Sequence, residues 1–314
     1  MSFSSDTKNE LAHVTPKKKC CELAEIAAFI RASGSIGLAG GGRYEIRITT
    51  ASPAIARHLK MLIRDYFRVE TELEIENGSA LKKGHSYILK IGPDQKSDSI
   101  LRETGLLLVR EGNNYLADGI YDELIRKKCC RKAYLRGIFL AAGSVTDPER
   151  SYHLEFALNR ELLANDLRRL INTFDDLSAK ISTRKGTFVV YMKNSQYISD
   201  TLAIMGAHTQ VLKFEDIKLR KELVNEATRM TNCDTANTDR TLSASEKQIN
   251  AIRKIQREGA MGRMPEKLQE LARLRMENPE LSLTQLGEKL DPPLKKAGVN
   301  GRMKRILEYA GTLK

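Results

Sequence analysis

The chain has 314 residues, 41% of them hydrophobic, enough to build two domains or one large one around proper cores. Its 52 Lys and Arg against 40 Asp and Glu give a formal charge of +12, which points to a polyanionic partner. Met1 to Lys19 lack the apolar stretch of a signal peptide and no apolar run reaches the roughly 20 residues of a membrane span. Four of the five Cys stand in adjacent pairs, unlike a secreted disulfide framework, so the chain reads as cytosolic and reduced.

Leu23, Ile26, Ala27 and Ile30 carry a helical period that Gly34 ends. Tyr44, Ile46 and Ile48 alternate with Glu45 and Arg47, the period of a half-buried strand, and Pro53 opens a helix that runs through Phe67. Leu73 and Ile75, then Tyr87, Leu89 and Ile91, predict two further strands around a Gly/Lys turn, and 93–109 reads as the closing helix. The pattern then repeats: helix 132–142, strand 152–158, helix 160–174, strands near 179–184 and 187–192, helix 195–205. Strands that alternate this clearly have one face under helices and one polar face open. Val211 to Met230 predicts another helix, and Thr231 to Arg240, without a large aliphatic residue, reads as a linker or an ordered polar junction. From Thr241 to Lys314 there is no strand pattern.

The repetition extends to individual residues. Lys18-Lys19-Cys20-Cys21 returns 109 positions later as Lys127-Lys128-Cys129-Cys130, and Ala32-Ser33-Gly34-Ser35 as Ala141-Ala142-Gly143-Ser144. At an offset of 108, Tyr44, Ile46 and Ile48 match Tyr152, Leu154 and Phe156, while Ile55, Ala56 and Leu59 match Leu163, Ala164 and Leu167. A match that keeps register through helix, strand and helix is a duplicated unit. The Cys pairs could converge on a metal across a pseudo-dyad, but adjacent Cys side chains rarely meet on one tetrahedral ion. They are read as small, partly buried residues opening a helix, with no metal expected.

The repeated helices are rich in small residues at helical spacing: Ala24, Ala27, Ala28 and Ala32 in one, Ala133, Gly137, Ala141 and Ala142 in the other. Such faces allow close backbone approach, so the two helices are the natural seam between the copies. Residues 26–34 and 135–143 resemble the signature helices of the LAGLIDADG homing endonucleases, whose halves are each αββαββα. In active members of that family the residue before the final Gly is a metal-holding acid; here those positions are Ser33 and Ala142. Neither offers Mg²⁺ a carboxylate, so metal-dependent phosphodiester cleavage has no anchor, and no catalytic residue is assigned.

Residues 241–314 hold 15 Lys and Arg against 9 Asp and Glu, half of the net charge in under a quarter of the length. Ser282-Leu283-Thr284-Gln285 has the form of a capping box, and Leu283, Leu286 and Leu290 continue a helix that Asp291-Pro292-Pro293 stops. Gly298 precedes a second helix with a core face of Val299, Met303, Ile306, Leu307 and Ala310, from which Arg305 points away between Arg302 and Lys304. Leu294 to Leu307 contains no acidic residue. Two short helices, a tight connection and a basic outer face describe a helix-turn-helix.

A degenerate LAGLIDADG-like repeat followed by this module resembles the WhiA family of bacterial DNA-binding regulators over nearly the whole chain. The likeness includes the Cys pairs, the junction 230–237 and the tail 291–300. Tails in that family usually read Ser-Lys-Ser-Gly-Val-Asn-His-Arg where this chain has Lys295 to Arg302, with Lys295, Ala297 and Gly301 replacing the two Ser and the His. The loss of a hydroxyl at Ala297 is expected to remove the N-cap of the second helix.

The expected fold is α+β: LAGLIDADG-like repeats over 1–110 and 111–210, a linker helix and polar junction over 211–240, and a small all-α helix-turn-helix domain over 241–314. The resemblance implies a cytoplasmic, nucleoid-associated regulator of cell division, chromosome segregation or sporulation genes, without nuclease activity. Double-stranded DNA is the expected partner, with another transcription regulator or RNA polymerase as further candidates, no membrane, no small-molecule substrate and no cofactor. Asn300, Arg302, Lys304 and Arg305 are the expected reading residues, Lys295 and Lys296 phosphate contacts, and Thr284 and Gln285 place phosphates at a helix start. The rivals are a nucleoid-architectural protein, which needs no base preference, and a residual metal-dependent endonuclease, which needs carboxylates from elsewhere. The open sheet face, with Arg43, Arg47 and Arg184, is a weaker candidate surface because residues 1–212 are nearly balanced at 31 basic and 25 acidic.

Overall fold

The computed structural model describes residues 2–77 and 85–313, and the chain divides into two compact units between Arg220 and Lys221. The Gly/Lys turn expected between the third and fourth strands lies outside the described residues.

The first unit opens with α1 (Phe3–Leu11), which is not among the expected elements; the Ser2 hydroxyl caps it by accepting from the Ser5 N–H at 3.2 Å. There follow α2 (Lys19–Ser33), β1 (Gly34–Leu38), β2 (Tyr44–Thr50), α3 (Pro53–Phe67), β3 (Glu72–Asn77), β4 (His85–Ile91), α4 (Ser97–Glu103), β5 (Leu107–Arg110) and β6 (Asn113–Leu116). The second copy comprises α5 (Lys128–Ala142), β7 (Gly143–Val145), β8 (Leu154–Leu158), α6 (Glu161–Ile171), β9 (Lys180–Arg184), β10 (Thr187–Met192) and α7 (Ser195–Met205). The two four-stranded antiparallel sheets have matching orders, β1-β2-β4-β3 and β7-β8-β10-β9. Their registers match too, for Gly34 lies opposite Ile48 and Gly143 opposite Phe156.

The alternation explains the layering. Ile46, Ile48, Leu89 and Ile91 turn one face of the first sheet inward under α3, whose Ile55, Leu59, Leu62 and Ile63 are buried. Leu154, Phe156, Val190 and Met192 do the same in the second sheet under Leu163, Leu167 and Ile171 of α6. Between the copies α2 lies against α5. A Cβ on Gly137 would sit 2.6 Å from the Glu25 carbonyl oxygen and 3.0 Å from the Ala28 Cβ, so the small residues set how closely these backbones approach.

Two expected elements differ in kind. The helix expected over 93–109 is a 3₁₀ turn at Pro93–Gln95, then α4, then strand β5 paired with β6. Gly105, at φ +66° and packed on Tyr121, turns the chain there. Four consecutive apolar residues, Leu106 to Val109, fit a strand as well as a helix end, so periodicity could not separate them. The segment 231–240 is part of a single helix, α8 (His208–Arg257). It contains no Gly or Pro, and along this helix the hydroxyls of Thr228, Thr231 and Thr241 donate to carbonyls four residues back at 2.8–3.0 Å. The missing aliphatic residues mark a stretch of helix whose side chains are almost all exposed rather than a loop.

The second unit takes α8 from Lys221 onward, then α9 (Glu266–Glu277), α10 (Leu283–Glu288) and α11 (Lys296–Thr312). It has its own core of Ile252, Ile255, Leu271, Leu286, Val299, Met303 and Ile306. Among the described residues no helix is long and apolar enough to cross a membrane.

Candidate nucleic-acid interface

In the second unit α10 and α11 form the helix pair expected from the sequence. Ser282 is the N-cap of α10: its hydroxyl accepts from the Gln285 N–H at 3.4 Å while Gln285 Oε1 accepts from the Ser282 N–H at 2.9 Å. Gln285 therefore spends its carbonyl oxygen on the cap, and Thr284 beside it is exposed. The connection after α10 closes through Gly287, whose carbonyl accepts from the Leu294 N–H at 2.9 Å; a Cβ there would lie 2.1 Å from the Leu294 carbonyl oxygen. Before α10, the turn is held by Arg275, buried and donating to the Leu281 carbonyl at 2.6 Å and more weakly to those of Asn278 and Pro279. Neither Gly287 nor Arg275 stood out in the sequence, because a Gly inside an apolar period and a basic residue on a helix carry no local signal of their contacts.

α11 starts two residues earlier than expected. Its N-cap is Lys295, with no side-chain cap bond, and Ala297 lies in the first turn; the missing capping hydroxyl belongs at 295, not at 297. The buried stripe is Val299, Met303, Ile306 and Ala310, and Leu307, expected in it, is 37% exposed. Lys295, Lys296, Asn300, Lys304 and Arg305 are exposed and Arg302 is half-buried. Among the described residues none of the five cations forms an ion pair. The first turn of α11 thus offers uncapped backbone N–H groups beside two lysines, an arrangement that attracts phosphate.

The open faces of the sheets in the first unit contrast with this. Arg47 donates to Glu45 at 2.6 Å, Lys90 to Glu74 at 2.5 Å, and Arg43 and Arg184 lie 3.8 and 3.9 Å from Asp94 and Glu155. The hydrogen bond from Arg47 holds the Glu45 carboxyl below its usual range. Glu72, Glu74 and Glu76 project in alternation from β3. Each of these cations thus faces a carboxylate of its own unit.

At the C-terminal ends of the seam helices, Ser33 donates its hydroxyl proton to the Phe29 carbonyl at 3.0 Å, and Ala142 offers no ligand atom. Among the described residues no group of three or more carboxylates or imidazoles gathers there. Such a group lies at the opposite ends, where the four Cys read as separate packing residues come together, all Sγ atoms within 4.8 Å of one another. Burial, with hydrogen bonding and charge from Cys129, pushes the Cys21 thiol up to about 12, and burial raises Cys130 as well. For Cys129 burial opposes ionisation, but hydrogen bonds from Cys21 and Cys130 and the Lys18 charge leave it lowered.

Comparison with known proteins covers both units. The WhiA N-terminal LAGLIDADG-like domain matches residues 19–107, the WhiA LAGLIDADG-like domain 131–224, and the WhiA C-terminal HTH domain 227–310. The chain is 42% identical over 310 residues to a probable cell division protein WhiA of Alkaliphilus metalliredigens, covering 99% of this chain and 98% of that one. It is 38% identical over 314 residues to the protein of that name from Clostridium novyi, covering 100% and 99%. The crystal structure of full-length DUF199/WhiA from Thermatoga maritima matches with a TM-score of 0.61 at 27% identity, covering 99% of this chain and 98% of that one.

Proposed function

The chain belongs to the WhiA family, and from that premise we propose that it is a sequence-preferring DNA-binding regulator of transcription without nuclease activity. The observation that carries the reading is the unpaired basic half of α11, presented by a helix pair whose turns are fixed by Ser282, Gly287 and Arg275. In this reading α11 enters the major groove, Asn300, Arg302, Lys304 and Arg305 reach base edges, and Lys295, Lys296 and the first-turn N–H groups hold phosphates. Thr284 adds a hydroxyl to the phosphate contacts, and Gln285 contributes through its amide nitrogen because its oxygen serves the cap. The relatives' name supports a role in genes of cell division. The expected domain limits, with the reading head within 241–314, stand as part of this proposal.

Loss of nuclease activity follows from Ser33 and Ala142, which put no charge where a divalent ion would have to bind. The test compares binding of the full chain to promoter fragments and to random duplex at one fixed salt concentration, with plasmid nicking assayed in Mg²⁺ and Mn²⁺. A regulator discriminates by at least about 10³-fold and leaves the plasmid intact. Equal affinity for both duplexes identifies an architectural protein, and nicking that disappears on Ser33→Ala identifies an endonuclease; either outcome overturns the proposal.

A further inference from the structure

The four clustered cysteines take no part in the DNA-binding reading. Cys20 and Cys21 are the second and third residues of α2, and Cys129 and Cys130 the second and third of α5, so the duplication delivers the same pair twice to one point on the pseudo-dyad. A tetrahedral Zn²⁺ with bonds of about 2.3 Å to four thiolates needs sulfurs about 3.8 Å apart. Here all four lie within 4.8 Å, and the adjacent Cys129 and Cys130 sulfurs, which sequence alone expects to diverge, are 4.0 Å apart. Closure by about an ångström at the widest pair completes the tetrahedron.

The surroundings suit such a centre. Four thiolates around Zn²⁺ carry two net negative charges. Both helix N-termini present their positive ends to the cluster, and Lys17, Lys18 and Lys132 line the same cleft as Cys21 and Cys129. That cleft, of about 400 Å³, gives a metal ion a route in from solvent. Cys21 and Cys130 are buried while Cys20 and Cys129 are half-buried, the closed environment of a structural site rather than one with an open position for substrate. We infer that Cys20, Cys21, Cys129 and Cys130 bind one Zn²⁺ per chain as tetrathiolate ligands, clipping the start of α2 to the start of α5. Binding replaces four S–H bonds with four Zn–S bonds and releases four protons, with no change of oxidation state.

The test uses the full chain, stripped with chelator under reductant and titrated anaerobically with Co²⁺. Saturation at one equivalent with a sulfur-to-cobalt charge-transfer band and intense tetrahedral d–d absorption, both bleached by one equivalent of Zn²⁺, supports the site. Cys20, Cys129 and Cys233 should react with a thiol reagent in the stripped chain, and Cys233 alone once zinc is bound. The spectrum should be lost in Cys21→Ser/Cys130→Ser and kept in Cys233→Ser. If the buried double variant does not fold, Cys20→Ser/Cys129→Ser, at the half-buried pair, serves in its place. Zinc should also raise the Tm of the wild type and leave that of the double variant unmoved. Absence of tetrahedral cobalt absorption from the fully reduced chain, or its persistence in a folded double variant, overturns the inference.

Discussion

Glu25 of α2 and Arg136 of α5 meet as a buried ion pair across the seam of the duplication. Arg136 Nε lies 3.1 Å from both carboxylate oxygens, and Nη2 lies 2.5 Å from Oε2. His58 of α3 donates from Nε2 to Oε1 at 2.8 Å, and Arg136 Nη1 donates to the Met205 carbonyl at 3.2 Å. The Glu25 carboxylate is 0% exposed, so every one of its lone pairs depends on these partners. Glu25→Ala should destabilise the first unit by about 3–5 kcal/mol, because Arg136 is left as a buried, unmatched charge. Replacing both partners by Met should cost much less. Urea unfolding of the two variants checks this, and equal losses would show that packing rather than charge pairing sets the seam.

Gly137→Ala should also loosen the seam, since the new methyl meets a backbone carbonyl 2.6 Å away that cannot swing aside. The expected cost is about 1–3 kcal/mol. Gly301→Ala, in α11 with nothing within 4 Å of the added atom, should instead stabilise by up to about 1 kcal/mol through helix propensity. Opposite signs for the two substitutions in thermal melts are the expected result.

The seam shows what the sequence could and could not disclose. Duplication, strand alternation and the small-residue helices were legible because each repeats with a period, and α3 and α7 appear with the limits expected. The Glu25–His58–Arg136 group was not legible, for its members lie 33 and 111 positions apart and Glu25 and Arg136 occupy non-equivalent places in the two copies. The Cys pairs were visible, yet their convergence depends on the dyad geometry that brings two helix starts to one point. In the second unit the capping box was local and therefore readable. The start of α11 was not, because Lys295 carries none of the side-chain oxygens that announce an N-cap.

Lys295→Ser restores a side-chain acceptor at that N-cap. It should stabilise the second unit by about 0.5–2 kcal/mol. It also removes one cation from the proposed phosphate contacts, so the slope of log K against log salt should fall by about 0.9. A rise in Tm with an unchanged salt slope would place Lys295 off the DNA.

The reading head is tested by replacing Arg302 and Arg305 together with Ala. The buried stripe of Val299, Met303, Ile306 and Ala310 stays intact, and Arg305 is exposed, so the helical content and Tm should change little. An arginine bound bidentately to guanine contributes about 1–3 kcal/mol of discrimination, so the double variant should lose its preference for promoter over random duplex by about 30-fold or more. Lys296→Ala should behave differently, weakening every duplex alike, because a phosphate contact carries no base information. The first unit contributes little in this scheme, since Arg43, Arg47, Lys90 and Arg184 already face carboxylates at 2.5–3.9 Å. Replacing Arg47 and Arg184 by Ala should therefore leave promoter affinity within about twofold of wild type, the change expected of roughly 0.4 kcal/mol. If instead that variant lost discrimination while Arg302→Ala/Arg305→Ala kept it, the sheets and not α11 would be the surface that reads DNA.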